Sequence, residues 1–245
     1  MSFTAEDFAA LDTRLQALGE AEYRAFNEGL IPGKRGATYG VRIPALRAIG
    51  RELCRGDWRA FLDCGPVRQS TVHEIVLLAG LVTAGARCPA AERMARTAAF
   101  IPRVDNWAVN DTVCATYRIA PADRPAWLDF LRPYTGCGQE YGERFALVLL
   151  MDQFLQDDTA DAVLAACLQA RCPGYYTRMA VAWTLCTALC KYRDKTLAFL
   201  QDERGRSLDA WTFNRAIQKC RESDRVSAAD KALLQTLRRP AGADG

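Results

Sequence analysis

Histidine is almost missing: His73 is the single imidazole in 245 residues. Cys/His zinc sites and serine-type triads therefore have almost no material. His73-Glu74 opens like a zincin motif, but Leu77 and Leu78 stand where its second histidine would follow. Cys167 and Cys172, or Cys186 and Cys190, fall short of the paired spacing of zinc sites. The chain also lacks a glycine-rich phosphate loop and a dinucleotide fingerprint, so neither metal nor cofactor is expected. The longest apolar run, Ile75 to Ala84, is about half of the roughly 20 residues a membrane helix needs. Alternating period-two stretches are nearly absent, which removes β architectures. Excess charge is lacking too. A formal net charge of +3 announces no global field for nucleic acid, and local distribution must decide.

What is present is ordinary for a soluble globular protein: 50% hydrophobic and 25% charged residues. The length suits one large domain or two small ones. Ten cysteines lie scattered through apolar helical patterns, and no signal-peptide pattern opens the chain. Free buried thiols in a reducing cytoplasm are the expectation, in a protein that works as a monomer.

Apolar residues recur at helical spacing from end to end. Phe8, Leu11, Leu15 and Leu18, then Tyr23, Phe26 and Leu30, predict one or two helices over 4–30. Pro32 to Gly36 reads as a loop, and YGVRIP (39–44) leads into a short helix. This segment is basic, with Lys34, Arg35, Arg42, Arg47, Arg51 and Arg55 against Glu52. Pairs of helices follow. Asp57-Trp58 starts a short one before an apolar Ser70–Ala84, and Pro89–Ile101 precedes Trp107–Ile119. Pro125–Leu131 precedes Glu140–Phe154, Ala160–Leu168 precedes Tyr175–Cys190, and Lys195–Gln201 precedes Ala210–Cys220. The more apolar second helices recur every 33 to 38 residues, the period of stacked helical hairpins. The expected fold is all-α: a curved α-solenoid of degenerate HEAT-like repeats, one domain over 1–240 with a frayed tail at 241–245.

Within this pattern IPRVDNWAVNDTVC (101–114) stands out. Asp105-Asn106 reads as a helix N-cap, and Asp111 follows Trp107 by four residues, so indole and carboxylate share a helical face. Glu143 and Arg144 open the next inner helix, and Arg178 and Trp183 occupy the one after. Arginine at a helix start opposes the dipole and points to an anionic partner. Basic residues interleaved with aromatics on a concave wall fit a nucleic-acid footprint. Each residue also has a packing reading: Trp107 as a staple, Asp111 as a surface carboxylate, Trp183 as core, Arg144 as the partner of Glu140 or a neighbouring repeat. Trp58, Trp127 and Trp211 read as packing, and His73 as structural. Periodicity alone yields a helical-repeat protein with a polar groove and no substrate.

The motifs YGVRIPALR (39–47), DNWAVND (105–111), ERFALVLL (143–150), MAVAWTL (179–185) and FNRAIQKCRES (213–223) carry a likeness. In their order and spacing, from about Tyr23 to Arg225, the chain resembles the AlkD-type DNA alkylation repair proteins, HEAT-like-repeat DNA glycosylases. The resemblance implies a concave basic groove for duplex DNA. It also implies hydrolytic release of cationic N3- or N7-alkylated purines without a base-flipping pocket. By motif position it assigns the catalytic aspartate to Asp111, the cleft tryptophans to Trp107 and Trp183, and the cleft arginine to Arg144. Arg42, Arg47 and Arg178 join Arg144 as expected DNA contacts. Three positions depart from the family pattern: Ala108 and Cys186 replace a common aspartate and a common basic residue, and Phe213-Asn214-Arg215 replaces adjacent arginines. Two other functions remain open, a family member that binds distorted DNA without catalysis and a HEAT-type scaffold for a protein partner.

Overall fold

Capping and helical periodicity account for most of the elements in the computed structural model, which describes residues 3–31 and 36–240. Among these residues there are helices and no strand. All but Gly36 of the expected Pro32–Gly36 loop, and the tail at 241–245, lie outside the described residues. Two compact units divide the chain, 1–123 and 124–245.

The first unit holds α1 (Ala5–Ala17), α2 (Ala21–Leu30), α3 (Ile43–Arg55), α4 (Trp58–Asp63), α5 (Gly65–Gln69), α6 (His73–Gly85), α7 (Ala90–Phe100) and α8 (Trp107–Cys114). Thr4 and Asp7 form a capping box at α1, and Asp57 accepts from the Ala60 amide to start α4. Helix α6 is the core: every residue from His73 to Ala84 is buried. A helix apolar on all sides must be covered on all sides, and α3, α7 and α8 pack against it. Gly80 sets how closely they pack. A Cβ there would stand 2.4 Å from Val113 and 2.5 Å from Phe100.

The second unit holds α9 (Arg124–Leu131), α10 (Glu140–Phe154), α11 (Ala160–Gln169), α12 (Tyr175–Lys191), α13 (Arg193–Gln201), α14 (Glu203–Arg206), α15 (Ala210–Glu222) and α16 (Ala228–Thr236). Here α10, buried throughout Gly142–Met151, packs on α12, and α12 packs on α15. Helices α6, α8, α10, α12 and α15 begin at His73, Trp107, Glu140, Tyr175 and Ala210, 33 to 35 residues apart. Polar contacts keep the same offset. Arg59 Nε donates to Glu92 at 2.7 Å in the first unit, and Lys195 Nζ to Asp161 at 2.7 Å in the second. Each unit is a stack of helical hairpins, the arrangement of an α-solenoid.

Some expectations need correction. Helix α8 ends at Cys114, five residues before Ile119. The Thr116 and Tyr117 amides bond to the Val113 and Cys114 carbonyls at 2.9 and 3.2 Å, a tightened last turn. The chain then leaves because Tyr117 enters the core, its hydroxyl 2.7 Å from Thr97 Oγ1. The short helices α5 and α14, and α16 with its Ser227 cap, were not expected. All ten cysteines are free, but only Cys114, Cys167, Cys186 and Cys220 are buried, and Cys137 is exposed. Trp58 and Trp127 are buried, while Trp211 is only half-buried.

Candidate active site and cationic surfaces

In the first unit the candidate chemistry stands on α8. Of the Asp105-Asn106 pair, Asn106 is the cap: its Oδ1 accepts from the Val109 amide at 2.9 Å, and its Nδ2 donates to Asp105 at 2.7 Å. Trp107 is the first helical residue and half-buried. Its indole Nε1–H donates to the carbonyl of Leu30, the last residue of α2, at 3.1 Å. That carbonyl is one of the acceptors a helix end leaves open, so the bond fixes the indole's tilt. Asp111 is half-buried one turn on, and one of its oxygens accepts from Asn110 Nδ2 at 3.1 Å. Four residues separate Trp107 from Asp111, so both sit on one helical face.

Arg47, on α3, reaches the other end of α8. Its Nη1 donates to Thr116 Oγ1 at 3.1 Å, and its Nη2 lies 3.5 Å from the carbonyl of Thr112, the residue after Asp111. Arg47, Arg51 and Arg55 fall on one face of α3 and, with Arg118, line a cavity of about 430 Å³. Arg118 also donates to the Ala115 carbonyl at 3.0 Å, so two guanidiniums sit at the negative end of α8. Cys54 lines the same cavity, and burial pushes its thiol above the usual range. Arg42 is engaged elsewhere. It is ion-paired to Glu20 at 2.7 Å and its guanidinium lies 4.9 Å from the Tyr23 ring centre. The pairing holds the Glu20 carboxyl below the ordinary carboxylate range.

In the second unit the other named residues separate into two settings. Arg144 is buried, donates to the Tyr176 carbonyl at 2.8 Å and lies 5.9 Å from the Tyr176 ring. Of the two partners expected for it, the next repeat supplies this bond. Arg178 is half-buried, ion-paired to Asp209, bonded to Thr212 Oγ1 at 3.1 Å and stacked 4.2 Å from the Trp211 ring. Burial acts to raise the Asp209 carboxyl, but Thr212 and Arg178 together hold it below its ordinary value. Trp183 is half-buried midway along α12. One turn from it, the neighbouring Cys220 thiol, with Cys190, Lys219 and Arg225, holds the buried Cys186 thiol below its ordinary range.

Sequence reasoning named Glu74 and Glu143 but missed their role as buried carboxylates, one in each unit. Glu74 accepts from Thr38 Oγ1 at 2.7 Å and from the Tyr39, Gly40 and Val41 amides at 3.1, 2.9 and 3.2 Å. Glu143 accepts from the Gly138, Arg171 and Cys172 amides at 2.8, 3.1 and 3.0 Å. Each glutamate sits in the first turn of an inner helix at the head of an apolar run, and that placement was the available signal. Among the described residues there is no group of three or more side chains suited to a metal, and no helix long and apolar enough to cross a membrane. Compared with known proteins, residues 11–220 of 245 match the model of a family described as DNA alkylation repair enzyme. No curated protein and no solved structure matches the chain.

Proposed function

Because the chain belongs to the DNA alkylation repair enzyme family, we propose that it is a monofunctional DNA glycosylase that hydrolyses the N-glycosidic bond of cationic N3- and N7-alkylpurines in duplex DNA, as a monomer in the cytoplasm. The observation that carries this reading is the half-buried Asp111 carboxylate one turn beyond a tethered indole on α8.

The chemistry suits these groups. An N7-alkylated purine is already cationic, so it leaves with the glycosidic electron pair as a neutral base and needs no general acid. Positive charge then develops on the deoxyribose as an oxocarbenium ion. Asp111 would stabilise that charge and orient the water whose oxygen bonds to C1′, taking up the proton the water releases. The Trp107 indole offers a π face to cationic sugar and base, with about 1–2 kcal/mol in a desolvated setting. Trp183 is assigned the role of the second indole on the resemblance. Arg47 is the best-supported phosphate contact, because it lines an arginine-rich cavity at the end of the helix that carries Asp111. Arg42 and Arg178 keep their assignments as DNA contacts by exchanging a carboxylate for a phosphate, whereas Arg144, buried and bonded to the Tyr176 carbonyl, keeps its assignment on the resemblance alone.

Release of 7-methylguanine or 3-methyladenine from methylated duplex DNA tests the proposal. The wild type should release base well above the spontaneous rate, and Asp111→Asn should fall back toward that rate while still binding DNA. Equal, spontaneous-rate release by both proteins would end the enzymatic reading. A second reading, DNA binding without catalysis, is favoured by the way Arg144 and Arg178 associate with aromatic rings in the second unit. It expects salt-sensitive binding and no base release. Affinity independent of salt would reject both, and leave the third function, a scaffold for a protein partner.

A further inference from the structure

In the second unit the inner helices all begin with aromatic residues. Tyr141, Tyr176 and Trp211 are each the second residue of α10, α12 and α15, at a spacing of 35. Tyr141 and Tyr176 stack with centroids 5.6 Å apart and planes 29° from parallel. Tyr175, the first residue of α12, meets Tyr176 at 5.3 Å and 85°, and Trp211 at 5.9 Å and 66°. Both contacts are edge-on, so they brace the Tyr175 ring without stacking a ring on its face. Its exposure, 56%, is high for a ring held from two sides. Beside it two guanidiniums lie over Trp211, Arg178 at 4.2 Å and Arg215 at 5.1 Å. Arg178 is neutralised by Asp209, and Glu140 accepts the Tyr176 amide at 2.7 Å. Arg215, exposed and one turn along α15 from Trp211, supplies positive charge at the edge of the cluster.

We propose that Tyr175 is a stacking residue for an unpaired base in DNA, with Arg215 on an adjoining phosphate. The inference rests on the reading that the protein works on DNA, and not on catalysis by Asp111. A braced exposed ring has little rotational freedom to lose on stacking. Every base offers a π face once it leaves the duplex, whereas a paired base has both faces covered by its neighbours. The subsite therefore discriminates unpaired from paired nucleotides rather than one base from another.

The test is anisotropy binding of the full chain to three labelled DNAs: a fully paired duplex, the same duplex with a single-base bulge, and the bulge lacking its base. Wild type should prefer the base-containing bulge. Tyr175→Ala should weaken binding to that probe roughly tenfold and leave the other two unchanged, and Tyr175→Phe should behave as wild type. Arg215→Ala should weaken all three and reduce the salt dependence by about one ion. An equal loss on paired and bulged DNA, or no loss in Tyr175→Ala, overturns the stacking role. An unchanged salt dependence in Arg215→Ala overturns the phosphate contact. Base release from methylated duplex with no bulge preference would sink this proposal alone. A Tyr175-dependent bulge preference without base release would sustain it and sink the glycosylase reading alone.

Discussion

The two units share a framework and differ at one helical turn. Glu74 in the first and Glu143 in the second each gather three backbone amides of neighbouring loops onto one buried carboxylate. An aromatic residue also stands at the start of successive inner helices: Trp107 on α8, Tyr141 on α10, Tyr176 on α12 and Trp211 on α15. The residue four positions later lies on the same face and differs every time. It is Asp111 after Trp107, Phe145 after Tyr141, Ala180 after Tyr176 and Arg215 after Trp211. Phe145 and Ala180 are buried, while Asp111 is half-buried and Arg215 exposed. The repeat thus supplies an aromatic platform in both units. The position one turn on decides whether that platform carries an anion, a cation or core.

The largest effect that would break this comparison is on rate. Asp111→Asn should slow single-turnover base release by about 10²–10⁴-fold with little change in affinity, whereas Arg215→Ala should change affinity and leave the rate at saturation intact. If both variants lose rate equally, the proposed division between the units is wrong.

The next effect is on stability. Replacing Glu143 by alanine leaves three amides without their acceptor and should cost about 3–5 kcal/mol in urea denaturation. Glu74→Ala should cost a similar amount, and a cost under about 1 kcal/mol for either would remove the parallel between the units. Gly80→Ala should cost about 1–3 kcal/mol, because α6 must move from Val113 and Phe100 to admit a methyl group. An unchanged thermal midpoint would contradict the close packing of α6.

The smallest effect is on pH dependence. The native Asp209 carboxyl titrates below its ordinary value. Its contribution to stability is therefore complete above the unfolded value, about 3.9, and is lost as pH falls through the lower native value. Asp209→Asn should destabilise the protein slightly at pH 6 and flatten the acid limb of the stability curve, the gap closing as pH falls through that lower native value. A constant gap between variant and wild type across that range would exclude the linkage.

Much of the helix inventory was legible because its causes are local. Asp57 caps α4 by the rule that applies to any Asp before a helical run, and Asn106 does the same for α8. The helical-hairpin period was legible as well, since an apolar helix repeated at constant spacing must be covered by its neighbours. The candidate site was less so. Trp107 and Asp111 could be placed on one face from their spacing, but the bond from the indole to Leu30 joins residues 77 apart. The loss of the last turn of α8 depended on Tyr117 finding Thr97, and no window around residue 117 contains that contact.

Sequence by itself determined an all-helical chain, its repeat length and the pairing of aromatic and charged residues along α8, because each follows from neighbours within a few turns. Only the tertiary structure decided which charges remain available. Arg144 is buried against Tyr176, and Arg178 and Arg42 are held by Asp209 and Glu20, while Arg47 lines an open cavity. The physical reason is that a guanidinium's availability depends on which carboxylates and carbonyls packing brings within about 3 Å of it, and those come from other helices.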